Sequence, residues 1–407
     1  MTEDKKLRII IIGSGLAGLT AARILREHHD VTVFERGSAS VATGGQGIAI
    51  GPNGMKILNT LGYSAELAGG VPLRSMRSYD SQGNLQDETH WDLQTRFGAE
   101  TLGHLRSDFW DELFRLATAP SVELGIKGLP AKVLFESTVV NVDPIEGVVT
   151  LSDGSTAAGD VVILADGIHS KLRSSIVDVK PEPKKTGLTC HRVAISASEA
   201  DQALGSLPIP LWWQRTNREN CMFFINGPDR SNRFVLAYPL RNQTYYNLSC
   251  MMKTEVSRKD TTESWDANAD LGNIVGHFGY NEALKRILSV ATVVKTWELQ
   301  DLDPLPTWTR GRAIIIGDAA HAMTPMQAQG ANMSIEDAEA FRLLFPRTQR
   351  EDVPGVLQRI DRIRRPRAAE SLRRTRETHG NLSAAERLNA NFDFFMGYCG
   401  VFSVLDA

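Results

Sequence analysis

The chain has 407 residues, 42% of them hydrophobic and 23% charged, with a formal net charge of -3. That balance belongs to an ordinary globular protein too long for one core, so about two domains are expected. So small a net charge gives no ground for a nucleic-acid partner, and the longest apolar runs fall far short of the ~20 residues that cross a bilayer.

Residues 2–6 are polar and lead straight into a strand, so no signal peptide is expected and the protein is read as cytoplasmic. Residues 7–12 form an apolar run, a glycine cluster follows, and residues 15–28 show helical spacing with Leu16, Leu19, Ala22 and Leu25 on related faces. Residues 30–35 read as a second buried strand, so the chain opens on a βαβ unit and a parallel sheet. Further buried strands are expected at 160–165 and 312–317, each followed by a glycine, a polar segment and a helical pattern. Between 184 and 253, β-formers and aromatics alternate between turn signals, at 211–214, 221–226, 233–238 and 245–252. This predicts an antiparallel sheet inserted between segments of the parallel one. After Asp337 the pattern is helical to about Asn391. Between Arg359 and Arg376, eight arginines stand against two acids, Asp361 and Glu370. A solvated helix face packed beside the nucleotide-binding part is preferred there to a nucleic-acid or membrane patch. Cys190, Cys221, Cys250 and Cys399 are scattered without metal-ligand spacing and are read as reduced thiols, and no metal is expected.

Three motifs carry chemistry. Gly13-Ser14-Gly15-Leu16-Ala17-Gly18 lies between a strand and a helix. Gly13 permits the tight turn, Gly15 lets backbone approach a pyrophosphate, and Gly18 lets the helix pack on the strand, with the helix N-terminus facing the phosphates. Glu35, 17 residues after Gly18, ends the next strand, where a carboxylate accepts hydrogen bonds from ribose hydroxyls. The motif does not by itself separate FAD from NAD. Gly317-Asp318-Ala319-Ala320-His321 ends another strand and is followed by Pro325, Gln329, Gly330 and Asn332. Its aspartate suits a polyol, and the Pro-x-x-x-Gln-Gly stretch brings backbone close to a flat ligand and starts a helix whose N–H groups suit an electron-rich oxygen. Asp166-Gly167-Ile168-His169-Ser170 again joins a strand to a helix, although Asp-Gly is also a common turn.

In order, these segments resemble the single-component FAD-dependent aromatic hydroxylases, the group A monooxygenases that include para-hydroxybenzoate and salicylate hydroxylases. The resemblance is strongest to their fungal secondary-metabolite members and runs over nearly the whole chain. It implies that Gly13, Gly15, Gly18 and Glu35 bind the ADP part of FAD, with Arg36 beside the adenine. It implies that Asp166 with Gly167 serves both FAD and NAD(P)H, and that Asp318, after Gly317, holds the ribityl chain. Gly47 and Ile48, in Gly45-Gln46-Gly47-Ile48 ahead of Pro52-Asn53, would run beside the isoalloxazine. Arg106 would contact FAD, as would Gly330, Ala331 and Asn332 at the helix start. Trp297, Leu299, Pro304, Leu305, Trp308 and Gly311 lead into Gly317 with the family's rhythm. One departure stands out: the family's Gly-Gln-Gly is here Ala328-Gln329-Gly330, which puts a methyl where backbone meets flavin or substrate.

The fold implied is α/β. A Rossmann-type FAD-binding domain is expected from residues 1–72, 98–180 and 290–350, and a mainly antiparallel-sheet substrate domain from 73–97 and 181–289. A C-terminal helical segment, 351–407, completes the chain. In the reaction implied, NAD(P)H reduces FAD, oxygen adds to give a flavin hydroperoxide, and an electron-rich aromatic or heteroaromatic small molecule is hydroxylated or epoxidised. With no second GxGxxG, nicotinamide is expected to bind transiently against the FAD domain. No nucleic-acid or membrane partner is expected, and the chain is read as a monomer or homodimer.

At the substrate, Arg192 is read either as the partner of a phenolate or carboxylate or as a structural arginine. Tyr238, in a family Tyr-Pro, either hydrogen-bonds substrate or, as preferred, packs in the core, and Pro325 lies beside the flavin's reactive edge. His191 is a weaker candidate base, because a strand neighbour of Arg192 points to the other face. His321 is read as packing within its loop. At most one of Trp212 and Trp213 can stack on a substrate if they lie on a strand. The alternatives are a flavin reductase or dehydrogenase without productive oxygenation, and a flavoprotein that only senses a ligand; a halogenase is disfavoured because no Trp-x-Trp-x-Ile is present.

Overall fold

The computed structural model describes residues 6–39, 46–228, 233–254, 267–268, 271–292, 294–377 and 391–405. Strand Arg8–Ile12 reads Arg-Ile-Ile-Ile-Ile, without polar alternation, and its four isoleucines are buried, as a parallel strand covered on both faces requires. It pairs in parallel with Asp30–Phe34 on one side and Val161–Leu164 on the other. Lys132–Leu134 and Ala313–Ile315 extend the sheet in parallel at its two ends, and Thr309–Arg310 closes one edge antiparallel. The strands expected at 160–165 and 312–317 are therefore present in shorter form. Helix Leu16–Leu25, buried along its whole length, connects the first two strands.

The second large sheet has eight strands in the order Ala267–Asn268, Val294–Asp301, Lys184–Ser196, Tyr245–Lys253, Phe234–Leu240, Cys221–Asn226, Ser75–Tyr79 and Leu85–His90. All pairings are antiparallel except that of Ser75–Tyr79 with Cys221–Asn226. Alternate residues face opposite ways. One face buries Val193, Ile195, Phe223 and Leu248 against helices Ala197–Leu204, Leu271–Phe278 and Glu282–Ser289. The other face looks toward the parallel sheet. Strand Val294–Asp301 hydrogen-bonds along Lys184–Ser196, so it belongs to this sheet and not to the nucleotide-binding part, where the boundary at 290 had put it. Gly47–Ile50, Thr101–Leu105 and Val71–Leu73 form a small antiparallel sheet between the two layers.

Residues 211–214 do not form the expected strand. Pro208 and Pro210 precede a single 3-10 turn, Leu211–Trp213, because proline fixes φ and gives no N–H to a ladder. Trp212 and Trp213 are both buried in the helix-side core, with Trp213 Nε1 donating to Asp201 Oδ1 at 2.7 Å. Neither can stack on a substrate at the open face.

The C-terminal part is helical as expected, with Val353–Arg376, residues 391–396 and Val401–Leu405; the helical reading of 378–390 lies outside the described residues. The arginine-rich stretch is only partly a solvated face, for Arg364 is fully buried. The cysteines are free, three of them buried and Cys399 exposed. Among the described residues no helix is long and apolar enough to cross a membrane, and no cluster of side chains could hold a metal ion.

Candidate active site

The Gly13–Gly18 turn is fixed by close approach. A Cβ on Gly18 would lie 2.0 Å from Gly13 O, and Gly13 adopts φ +103° with its own Cβ position 2.4 Å from Ala165 O. By contrast, a Cβ on Gly15 would meet nothing within 4 Å. The open space therefore lies over the N-terminus of helix Leu16–Leu25, where the first N–H groups have no helical partner. Glu35 is drawn back onto this turn: Oε2 accepts from Ser14 N and Ser14 Oγ, both at 2.8 Å, and Oε1 from Gly37 N at 2.7 Å. A carboxylate offers about four acceptor directions, so one is left for an outside hydroxyl.

Across the parallel sheet, strand Ala313–Ile315 delivers Gly317 and Asp318. Gly317 N donates to Asp337 Oδ2 at 3.0 Å, and His321 Nε2 lies 2.5 Å from the same oxygen. Arg364 bridges Asp337 Oδ1 (3.0 Å) and Glu336 Oε2 (2.6 Å), while Glu336 also takes Arg367 and the Asn53 amide. Burial works against the ionised Asp337, but His321 and Arg364 outweigh it and hold the carboxyl below its ordinary value. The same balance raises His321, whose burial is overridden by Asp337. This network fixes the Gly317-Asp318 loop to helix Gly330–Glu339 and leaves the Asp318 carboxylate exposed. His321 belongs to the buttress: its ring bonds across to Asp337 on helix Gly330–Glu339 and not within its own loop, where it was expected to bond.

The connecting loop contains the departure at residue 328. Pro325–Gln327 is a 3-10 turn, and Ala328 follows in the left-handed region at φ 52°, ψ 32°. Asn332 Nδ2 donates to Ala328 O at 2.7 Å and holds it there. A glycine occupies this conformation without steric cost, whereas alanine pays about 1–2 kcal/mol.

Between the two sheets lies a cavity of about 660 Å³. It is lined by Gly15, Gly47, Ile48 and Arg106, by Asp318, Pro325, Gly330, Ala331 and Asn332, and on the eight-stranded sheet by Arg192 and Tyr238. Gly13, Gly18 and Gly317 stand behind this lining as backbone supports, and Glu35, Arg36 and Asp166 lie outside it. Arg36 is exposed and its charge acts on Asp166. Gly45 falls outside the described residues. Tyr238 is buried and its hydroxyl lies against Gly47, where a Cβ would come within 2.6 Å. Burial pushes its phenol pKa up against the pull of Arg192, leaving a neutral hydroxyl. The Arg192 guanidinium lies over the Trp297 ring, 5.6 Å from its centroid. His191 points to the opposite face, against Phe278 and within 2.8 Å of Thr296 Oγ1, away from the cavity.

Sequence reading missed the apolar walls: Trp91 from the loop after Leu85–His90, Met222 and Phe224, and Phe392 and Met396 from residues 391–396. Trp91 and Phe392 meet edge to face at 5.7 Å. A periodic pattern marks such residues as core, and nothing local tells which core.

Three features fit a bound FAD. The Arg106 guanidinium has no hydrogen-bond partner among the described residues, and burial lowers its pKa while Asp318 opposes the drop. Asp166 carries a buried carboxyl that desolvation pushes up against the pull of the Ser170 hydroxyl and of Arg173 and Arg36, and its Oδ1 makes no hydrogen bond of ordinary length and angle. The space over Gly15 faces a helix N-terminus, which attracts an anion such as a pyrophosphate. Comparison with known proteins points the same way. The model of the FAD binding domain family matches residues 6–375. The 6-hydroxynicotinate 3-monooxygenase of Bordetella bronchiseptica is 31% identical over 404 residues, 97% of this chain and 95% of that protein. The 3-amino-4-hydroxybenzoate 2-monooxygenase of Streptomyces platensis is 32% identical over 388 residues, 92% and 88% of the two chains. A salicylate hydroxylase solved with its substrate shares the fold, with a TM-score of 0.73 at 24% identity over 97% of this chain and 96% of that one.

Proposed function

The chain belongs to the FAD binding domain family and is an FAD-dependent aromatic monooxygenase; from that premise we propose that NAD(P)H supplies its electrons and that it hydroxylates or epoxidises an electron-rich aromatic or heteroaromatic small molecule. The observation that carries the reading is one cavity into which the glycine-rich turn, Asp318, Arg106 and Arg192 all open. We read residues 1–72, 98–180 and 302–350 as the part that holds FAD, and the eight-stranded sheet as the part that holds substrate.

FAD, when bound, supplies the electron transfer and the activation of dioxygen. The N–H groups at the start of helix Leu16–Leu25 hold the pyrophosphate, and the remaining acceptor of Glu35 takes a ribose hydroxyl. Asp318 accepts from the ribityl hydroxyls, and Arg106 neutralises negative charge in a site where burial makes an unpaired ion costly. The Arg192 guanidinium favours the ionised form of a ring hydroxyl, which makes the ring more electron-rich. The Tyr238 hydroxyl donates to a substrate oxygen. The apolar walls and the Pro325–Ala328 loop exclude water from the reacting edge.

The test is to purify the protein, record its absorption spectrum, and follow NADH and NADPH oxidation in air against phenols, salicylates, hydroxypyridines and indoles, with products weighed by mass spectrometry. A yellow protein whose NAD(P)H consumption rises with one compound, and which returns that compound with one added oxygen atom, is the expected result. Stimulated consumption that yields only hydrogen peroxide with every compound would overturn the oxygenation, and failure to retain FAD would overturn the site.

A further inference from the structure

The floor of the cavity is a grid whose register can be followed strand by strand. One row crosses five strands as Lys295, Arg192, Ser249, Leu236 and Phe224, each residue directly opposite the next. The adjacent row, two residues along each strand, runs Trp297, Cys190, Met251, Phe234 and Asn226. All ten line the cavity. On the side away from the second row, Gly47–Ile50 covers the grid: Gly47 N donates to Asn247 Oδ1 at 3.0 Å, and Asn247 pairs with Tyr238. The segment expected beside the isoalloxazine thus occupies one margin and leaves these two rows open.

The first row is graded. Its Lys295–Arg192–Ser249 end offers donors and positive charge, and its Leu236–Phe224 end offers only carbon. Four strand spacings of about 4.8 Å make the row about 19 Å long. The apolar end is also walled: Phe224 and Leu236 pack with Trp91, and Trp91 meets Phe392. Met222, Met251, Met323, Met326 and Met396 line the same cavity, half of the ten methionines in the chain. Thioether chains make an adaptable apolar surface suited to a ligand of irregular outline. A single-ring acid, the kind of compound named for the two curated relatives, reaches only the cationic end of this floor.

Resting on the monooxygenase reading of the site, we infer that the substrate is an elongated amphipathic aromatic compound, with a ring oxygen at Arg192 and Ser249 and an alkyl or fused-ring extension along Leu236 and Phe224 beneath Trp91 and Phe392. Leu236 and Phe224 are then specificity-determining residues, since the extension beyond Ser249 runs along them.

Isothermal titration of the FAD-loaded protein with 4-hydroxybenzoate and with 4-alkylphenols from methyl to hexyl tests this directly. Affinity should tighten about fourfold per methylene buried, through at least butyl, and 4-hydroxybenzoate should bind more weakly than 4-butylphenol. In Leu236→Asn, a half-buried position open to the cavity, the gain per methylene should fall to less than twofold. A flat or falling series in the unaltered protein, or tighter binding of 4-hydroxybenzoate, would overturn the inference without need of the variant. NADH and NADPH oxidation followed in the same samples separates the two readings. Rising affinity without consumption of either supports the extended site and counts against turnover, whereas consumption stimulated best by 4-hydroxybenzoate upholds the monooxygenase and sinks the extended substrate.

Discussion

Arg364→Met isolates the buttress behind the Gly317-Asp318 loop. The guanidinium is fully buried and gives up bonds to Glu336 at 2.6 Å and Asp337 at 3.0 Å, while methionine fills most of the volume. Neither carboxylate is stripped bare. Glu336 keeps Arg367 and the Asn53 amide, and Asp337 keeps His321 and Gly317 N. The loss is therefore set at about 3 kcal/mol, the low end for removing one partner of a buried pair. At roughly 2 °C per kcal/mol for a large domain, the midpoint should fall by about 6 °C. The sign of the pH dependence follows from Asp337, whose pKa is depressed in the folded protein. Its contribution is full above the unfolded carboxylate value and lost as pH falls through the folded one. Without Arg364 that depression shrinks, so the gap between variant and parent should stay wide from pH 8 down to the unfolded carboxylate value of about 3.9 and narrow only below it. Thermal unfolding followed by far-UV circular dichroism and by release of flavin fluorescence reads both quantities. A midpoint within about 1 °C of the parent at pH 8 would refute the claim that this cation clamps the loop.

Gly18→Ala places a methyl 2.0 Å from Gly13 O and should cost both fold stability and FAD, with affinity lowered at least ~100-fold, about 2.7 kcal/mol, in a fluorescence titration. Gly15→Ala meets no protein atom within 4 Å, so the apoprotein should melt as the parent does while FAD binding weakens; equal behaviour of the two variants would count against phosphates over Gly15. Ala328→Gly relieves a left-handed alanine but frees the unfolded chain, and the two effects of about 1 kcal/mol leave a midpoint raised by no more than about 2 °C; a clear drop would show that the methyl itself packs. The His321–Asp337 pair raises His321, so its contribution is full below the unfolded histidine value of about 6.5 and fades as pH rises through the folded value. His321→Gln should accordingly cost more midpoint at pH 6 than at pH 9, and a cost independent of pH would leave packing against Trp308 as its role.

What was legible beforehand was what close packing imposes on adjacent residues. The Gly13–Gly18 turn and the Gly317-Asp318 loop announce themselves because a tight turn at the end of a parallel strand demands glycine within a few positions. The alternation at 221–226 and 245–252 survived as strands because one face of each is buried against helices. Trp212 and Trp213 misled for a local reason: the aromatic content of a strand stood behind two prolines that forbid one. The apolar wall and the ion network were out of reach for a different reason. Asn53 meets Glu336 across 283 positions, and Phe392 reaches Trp91 from the far end of the chain; no window of sequence holds both partners. The arginine-rich helix shows the same limit, since composition could not tell buried Arg364 from its solvated neighbours.

The interleaving of the two large sheets bears on how the chain is made. Ser75–Tyr79 has to wait for Cys221–Asn226, and Val161–Leu164 has to wait for Ala313–Ile315, with strands of the other sheet synthesised in between. The glycine-rich turn leaves the ribosome about 300 residues ahead of Asp318, an interval of roughly 15–60 s at ordinary elongation rates. Through that interval bare strand edges of both sheets stand open to neighbouring nascent chains, and the buttress behind the Gly317-Asp318 loop is completed only with Arg364. Chaperone supply and translation speed should therefore weigh on soluble yield, and added flavin can rescue only chains already completed past that helix.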